Sequence, residues 1–213
     1  MIKAKFGDRI DGFVHRVFPF LFTRRLDPTL LTIAGAAVSV GAAAAIARGH
    51  LRTGGVLVLV GGFFDLVDGV VARHQGTSTT FGAFLDSTLD RLVDMALLLG
   101  IALHFAAAGR TDLVLLTGVV LIASVLVSYA KARAEQFVPV FEGGALERGE
   151  RIGLLAAGAI LGFLVPALWI LALGGLYTVA QRFRMAYLQM EALDAAAELR
   201  RRLGGEPGAE EHP

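Results

Sequence analysis

Four aspartates carry the densest chemical information in this 213-residue chain. Asp65 and Asp68 stand three apart, and Asp86 and Asp90 stand four apart. On a helix, each pair shares a face. Apolar runs precede the first pair and follow the second, and the connection between them, RHQGTSTTF, is short. Two antiparallel neighbouring helices are therefore expected, with four carboxylates converging at one membrane boundary. Four close negative charges at low dielectric repel strongly unless protonated or neutralised. Bound divalent cations would neutralise them. Every candidate ligand is an oxygen, which selects Mg²⁺, Mn²⁺ or Ca²⁺ over Zn²⁺. Gly69 follows Asp68 and Gly82 stands four before Asp86, and a missing side chain lets a ligand or backbone approach closely. Arg73, one turn past Gly69, could clamp a phosphate.

The elements that must position these residues read as membrane spans. The chain is 55% hydrophobic with only 8% aromatic residues, and its mean hydropathy is +0.63. Long apolar runs account for the excess over a soluble domain. Spans are expected over residues 28–47, 54–72, 81–108 and 111–134. Pro28 suits a first turn, and Thr111 and Asp112 can cap the fourth span. The run 152–180 is long for one span, yet it fits two if their helices extend into the charged flanks and turn near Pro166. Six spans with both termini in the cytoplasm leave only Arg48, Arg52 and Arg110, of 20 Lys and Arg, on the outer side. The positive-inside rule favours that arrangement over a single last span. The expected fold is thus an all-α integral membrane protein of six transmembrane helices, multi-pass in the cell (inner) membrane, with its carboxylates facing the cytoplasm. Residues 1–26 place apolar positions at helical spacing among Lys and Arg, so they read as an interfacial amphipathic helix rather than a cleavable signal. Residues 27–190 form the expected helical domain. Residues 191–213 read as a polar cytoplasmic tail, disordered after Leu203. Net charge is +1, which gives no sign of a nucleic-acid partner. The absence of Cys excludes disulfides, thiolate catalysis and Cys-based metal sites.

Written out, the segment is Asp65-x2-Asp68-Gly69-x2-Ala72-Arg73-x8-Gly82-x3-Asp86-x3-Asp90. It resembles, at all eight fixed positions, the signature of the CDP-alcohol phosphatidyltransferase family. A chance match in such a chain is on the order of one in ten million. The resemblance implies six spans after an interfacial helix, a homodimer, and transfer of a phosphatidyl group from CDP-diacylglycerol to a small alcohol with release of CMP. It also implies two Mg²⁺ ions, with Mn²⁺ as a substitute, held by Asp65, Asp68, Asp86 and Asp90, with Asp90 as the base. Gly69, Arg73, Thr79 and Gly82, with the stretch Thr29, Leu30, Leu31, Thr32, match positions around the CDP-lipid. DPTLLT, SYAKARAE and ERGER most resemble the phosphatidylinositol phosphate synthases of actinobacteria. In that group a small phosphorylated alcohol is held by a pocket matching Ser128, Lys131, Arg151 and Arg182. The connection between the fifth and sixth spans is shorter than in that group, and residues 135–147 give no clear match.

Other residues have plainer readings. Asp94 continues the stripe of Asp86 and Asp90 by one turn, either lying behind the site or pairing with an arginine. Arg91 reads as a local partner, and one arginine of ERGER as a partner of Glu147 or Glu150. His74 reads as an exposed loop residue and Trp169 as an interface anchor. The small residues of 34–47 read as helix packing. Glycerol 3-phosphate is the alternative acceptor. A cation transporter is the alternative of another class, but it predicts repeated halves and paired acids on several spans, and the sequence has neither.

Overall fold

A computed structural model describes residues 27–76, 79–138, 140–141 and 143–203, without the side chains of Ala72, Arg73 and Gln75. The expected interfacial helix over 1–26 and the tail from 204 lie outside the described residues. Among those described there are six helices: α1 Pro28–Ala47, α2 Leu51–Gln75, α3 Thr80–Ala107, α4 Thr111–Ala134, α5 Arg148–Leu161 and α6 Leu164–Arg202.

Asp27 starts α1, accepting a hydrogen bond from the Thr29 amide at 2.9 Å, and Pro28 follows in the first turn. The small residues of α1 face inward. Gly35, Ser39, Ala42 and Ala43 are buried, and a Cβ on Gly61 of α2 would stand 2.0 Å from the Ser39 Oγ. A Cβ on Gly100 of α3 would meet the Ala43 carbonyl oxygen at 2.4 Å. α1 thus packs closely against both α2 and α3 through missing side chains, as membrane helices do where no hydrophobic force drives them together. This changes the expected geometry. The main neighbour of α2 is α1 rather than α3, yet the two aspartate-bearing helices still bring Asp65, Asp86 and Asp90 together.

α3 packs on α4, α4 on α6, and α5 on α2 and α6. Leu97, Ile101, Val120, Leu168 and Leu171 fill the centre of the bundle. Outward, Leu59, Leu99, Leu103, Leu115, Ile122 and Leu173 are half or more exposed. A belt of bare leucines this dense marks a surface that meets lipid. α1, α2, α4 and α6 are each long and apolar enough to cross a membrane. α3 has the length, but Asp86, Asp90, Arg91 and Asp94 crowd its first half. α5 has 14 residues, about 21 Å, against about 30 Å of hydrocarbon.

The run 152–180 does divide into two helices, but the turn is at Gly162, not near Pro166. Gly162 ends α5 with φ 85°, a left-handed conformation that favours glycine. Pro166 instead falls in the first turn of α6, where its lacking N–H costs nothing. Two smaller expectations also change. Asp112 does not cap α4 but forms a two-pronged pair with Arg110, at 3.0 and 2.7 Å. His74 is exposed as expected, yet it belongs to α2 rather than a loop. α6 continues unbroken through position 190 to Arg202.

Candidate active site

Carboxylate oxygens of Asp65, Asp86 and Asp90 lie within 4.8 Å of one another. The register of α3 aims Asp86 and Asp90 the same way, and the last turns of α2 bring Asp65 to meet them. Asp68 stands one turn beyond Asp65, 5% exposed and within electrostatic reach of Asp86 and Asp65. Its Oδ2 is buried without a hydrogen-bond partner among the described residues. A buried carboxylate oxygen left bare is costly, and a cation would relieve it. Clustered oxygens without nitrogen or sulfur suit a hard divalent ion. The residues present therefore fit the metal that the sequence implied.

An arginine reaches into this cluster from α5. Arg148 Nη1 lies 3.0 Å from Asp65 Oδ2 and 2.9 Å from Asp90 Oδ1. Its Nε reaches Asp94 Oδ1 at 3.3 Å. Asp94 is buried, and its Oδ2 holds Arg151 Nη2 at 3.0 Å. Asp94 thus joins two arginines of ERGER to the aspartate stripe of α3. One arginine of ERGER was expected to take a local glutamate partner; both Arg148 and Arg151 instead reach Asp94. No sequence signal near them pointed to α3, because Glu147 and Glu150 are nearer in the chain. Glu150 instead accepts the Glu147 amide at 2.8 Å and helps start α5. Arg91 does act locally, donating to the Ser87 carbonyl.

Two clefts meet at this cluster. The first, about 300 Å³, is lined by Asp90, Asp94, Ser128, Lys131, Arg148, Arg151 and Arg182. It thus gathers all four residues matched to an acceptor pocket, with Asp90 beside them. Arg151 is 3% exposed and also donates to the Leu146 carbonyl at 3.3 Å. Arg182 donates to the carbonyls of Gly143, at 3.1 Å, and Val127. Lys131 is less confined, pairing with Glu135 at 3.7 Å. The second cleft, about 290 Å³, lies among α1, α2, α3 and α5. Gly35, Ala36, Val58, Leu59 and Leu97 line it, and Thr32, Asp65, Asp90 and Arg148 form its polar end.

The segment after α4, which matched nothing in sequence, holds the first cleft in shape. Val138 and Phe141 are buried with Ala134 against Met185, Ala186 and Met190 of α6. Gly143 and Gly144 follow at φ 133° and 137°. A Cβ on Gly144 would meet Arg182 Nε at 3.1 Å. The Leu146 amide then donates to Thr178 Oγ1 at 3.2 Å, and the Leu146 side chain fills the space over Gly174.

The residues matched to the CDP-lipid are less gathered. Thr32 reaches the second cleft, donating its hydroxyl to the Pro28 carbonyl at 2.9 Å. Leu30 is 65% exposed, and Thr29 and Leu31 are half-buried. Thr79 caps α3 by accepting the Gly82 amide at 3.0 Å. A Cβ on Gly82 would stand 3.0 Å from that hydroxyl. Gly69 is half-buried. The side chain of Arg73 lies outside the described residues.

A multi-pass helical membrane protein with a carboxylate centre beside an arginine-lined cleft has the makings of a membrane enzyme that transfers phosphate-bearing groups. Comparison with known proteins narrows the class. Residues 25–188 match the CDP-alcohol phosphatidyltransferase family. The phosphatidylinositol phosphate synthase of Mycobacteroides abscessus is 43% identical over 176 residues, covering 78% of this chain and 80% of that protein. The archaetidylinositol phosphate synthase of Methanothermobacter thermautotrophicus is 42% identical over 159 residues, 71% of this chain and 78% of that one. The phosphatidylinositol phosphate synthase of Mycobacterium tuberculosis, solved with CDP-DAG bound, superimposes with a TM-score of 0.71 at 32% identity over 86% of this chain and 94% of that one. Another structure of that enzyme, in complex with manganese and citrate, gives the same TM-score and identity over 85% and 88%. This chain belongs to the CDP-alcohol phosphatidyltransferase family. It is a transferase enzyme.

Proposed function

We propose that this enzyme moves a phosphatidyl group from CDP-diacylglycerol to an inositol phosphate, releasing CMP. The observation that carries the reading is the cleft in which Ser128, Lys131, Arg151 and Arg182 stand together with Asp90. A phosphorylated acceptor brings about two negative charges near neutral pH. Holding it near a membrane takes several fixed cations. The names and identities of the relatives support inositol phosphate as that acceptor.

Asp65, Asp68, Asp86 and Asp90 would hold two divalent ions, Mg²⁺ or Mn²⁺. Bound there, the ions supply charge that polarises the phosphoryl group and steadies the departing oxygen. The chain's own residues do the rest. Lys131, Arg151 and Arg182 hold the acceptor's phosphate and Ser128 adds a hydroxyl, which fixes the acceptor's free hydroxyl beside Asp90. Asp90 takes the hydroxyl proton as the oxygen attacks the phosphorus bonded to the lipid's glycerol. A new oxygen–phosphorus bond forms, the bond to CMP breaks, and CMP leaves. Thr29, Leu30, Leu31 and Thr32, with Gly69, Arg73, Thr79 and Gly82, would surround the CDP head group. The second cleft suits the apolar part of the donor next to it.

The reading includes six spans after an interfacial helix over 1–26, a catalytic domain to about residue 190, a homodimer, and a cytoplasmic site in the cell's inner membrane. A cysteine placed at Gly162 should then be labelled from outside, and one after Arg202 only from inside. Labelling of the second from outside would remove that topology. The substrate is tested with purified protein and CDP-diacylglycerol, following CMP release. Inositol 1-phosphate should support it, and free inositol and serine should not. Release with glycerol 3-phosphate alone would keep the pocket and overturn the acceptor. No release with any alcohol would overturn the proposed transfer.

A further inference from the structure

Arg148 lies outside every role assigned above, yet it touches the carboxylate centre and lines both clefts. Among the described residues, Arg148 and Asp90 are the two that line both clefts. Arg148 Nη1 sits between Asp65 and Asp90, at 3.0 and 2.9 Å. A divalent ion held by those two carboxylates would compete with the guanidinium for them. Even an ion taking the other carboxylate oxygens would repel a guanidinium so close, at low dielectric. The far side of the guanidinium has a separate hold, Nε on Asp94 Oδ1 at 3.3 Å, and Asp94 is also the carboxylate that fixes Arg151. The two arginines differ in freedom. The Arg151 side chain is 4% exposed, while that of Arg148 is 28% exposed.

We propose that Arg148 is an exchangeable cation that couples the metal centre to the acceptor cleft. Metal on Asp65 and Asp90 expels its Nη1. Pivoting on Asp94, the guanidinium turns into the cleft beside Arg151 and becomes a further ligand for the acceptor's phosphate. Each binding event then favours the other. Metal frees the arginine for the phosphate, and phosphate draws away the competitor of the metal. Such coupling is reciprocal by thermodynamic necessity. The identity of the acceptor rests on the reading above, but the exchange at Asp65 and Asp90 does not.

The test titrates chelator-stripped, purified protein with Mn²⁺, following free Mn²⁺ by electron paramagnetic resonance. The titration is repeated with saturating inositol 1-phosphate and with glycerol 3-phosphate. In the wild type the cognate phosphate should tighten Mn²⁺ binding roughly fivefold or more. Arg148→Ala should bind Mn²⁺ roughly tenfold tighter without any phosphate, the scale of one charge-assisted hydrogen bond, and should no longer respond to phosphate. Arg148→Lys keeps a competing charge, so it should stay near the wild type in the absence of phosphate. It also serves as the reading if the alanine variant does not fold, when a Mn²⁺ affinity raised to the same extent would overturn competition by charge. Unchanged Mn²⁺ affinity in a folded Arg148→Ala protein overturns the exchange. A response to glycerol 3-phosphate but not to inositol 1-phosphate upholds the exchange and overturns only the acceptor. Tightening in Arg148→Ala, with neither phosphate acting on the wild type, overturns the coupling.

Discussion

The two clefts that meet at Asp90 are nearly equal in volume, about 300 and 290 Å³, and differ in almost everything else. One is built from long charged side chains, two of them locked by partners: Arg151 by Asp94, Arg182 by the Gly143 and Val127 carbonyls. The other opens onto bare backbone at Gly62 and Gly153, where a Cβ would meet nothing within 4 Å. Charge placed by ion pairs holds a small dianion. Space opened by glycines admits an apolar body against bare backbone. The difference teaches that the volume of a site says little about its occupant, while the means of holding it open says much.

The harshest way to break the comparison is to remove what the clefts share. Stripping divalent metal with EDTA should abolish activity, and Mg²⁺ or Mn²⁺ should restore it. Full turnover in excess chelator would sink the carboxylate centre. Next, Asp90→Asn keeps the shape and loses the base. Turnover should fall at least about a hundredfold, with CDP-diacylglycerol binding largely kept. Asp65→Asn should weaken metal and nucleotide binding as well. Near-normal turnover in Asp90→Asn would show that another group takes the proton.

The next two changes each address one cleft. Lys131→Ala or Arg151→Ala should raise the KM for the acceptor by roughly ten- to a hundredfold, the worth of a lost charge-assisted bond. The KM for CDP-diacylglycerol should hardly move. Lys131 gives the cleaner answer, because Arg151 is buried and its loss also leaves Asp94 short of a partner. Equal changes in both KM values would remove the acceptor pocket. Gly61→Ala should instead strike the close contact of α1 with α2 that frames the second cleft. Its Cβ would stand 2.0 Å from Ser39 Oγ, so a loss of about 1–3 kcal/mol of stability is expected, read as a lower Tm in detergent. Adding Ser39→Ala should recover part of it. A rise in acceptor KM alone would mean that the two clefts do not divide the substrates.

Legibility in the sequence followed the same division. The aspartates were readable because three- and four-residue spacings on two helices put them on known faces. Asp65, Asp86 and Asp90 do converge. That the small residues of α1 serve helix packing was readable, but not which helices they meet, nor the displacement of α3 from α2, since a short connection fixes the ends of two helices and not their whole length. Ser128, Lys131, Arg151 and Arg182 came from resemblance, and no spacing alone could have gathered residues from α4, α5 and α6. Arg148 was missed because its partners, Asp65, Asp90 and Asp94, lie more than fifty positions away, with two glutamates at its side. The turn after α5 went to Pro166 instead of Gly162 because proline is the louder breaker, although it sits comfortably in a first helical turn.

The length of α6 has a practical side. From Arg182 to Arg202 the helix runs on for about 30 Å, at about 1.5 Å per residue, and every residue from 191 to 202 is exposed. It is a stem standing clear of the catalytic chamber. A fluorophore or affinity handle fixed near Arg202 would sit far from both clefts, on a rod whose direction the bundle sets. The enzyme could be anchored to a support by that stem with its substrate entrances free. A distance ruler from the stem to a labelled nucleotide would have one rigid end already in place.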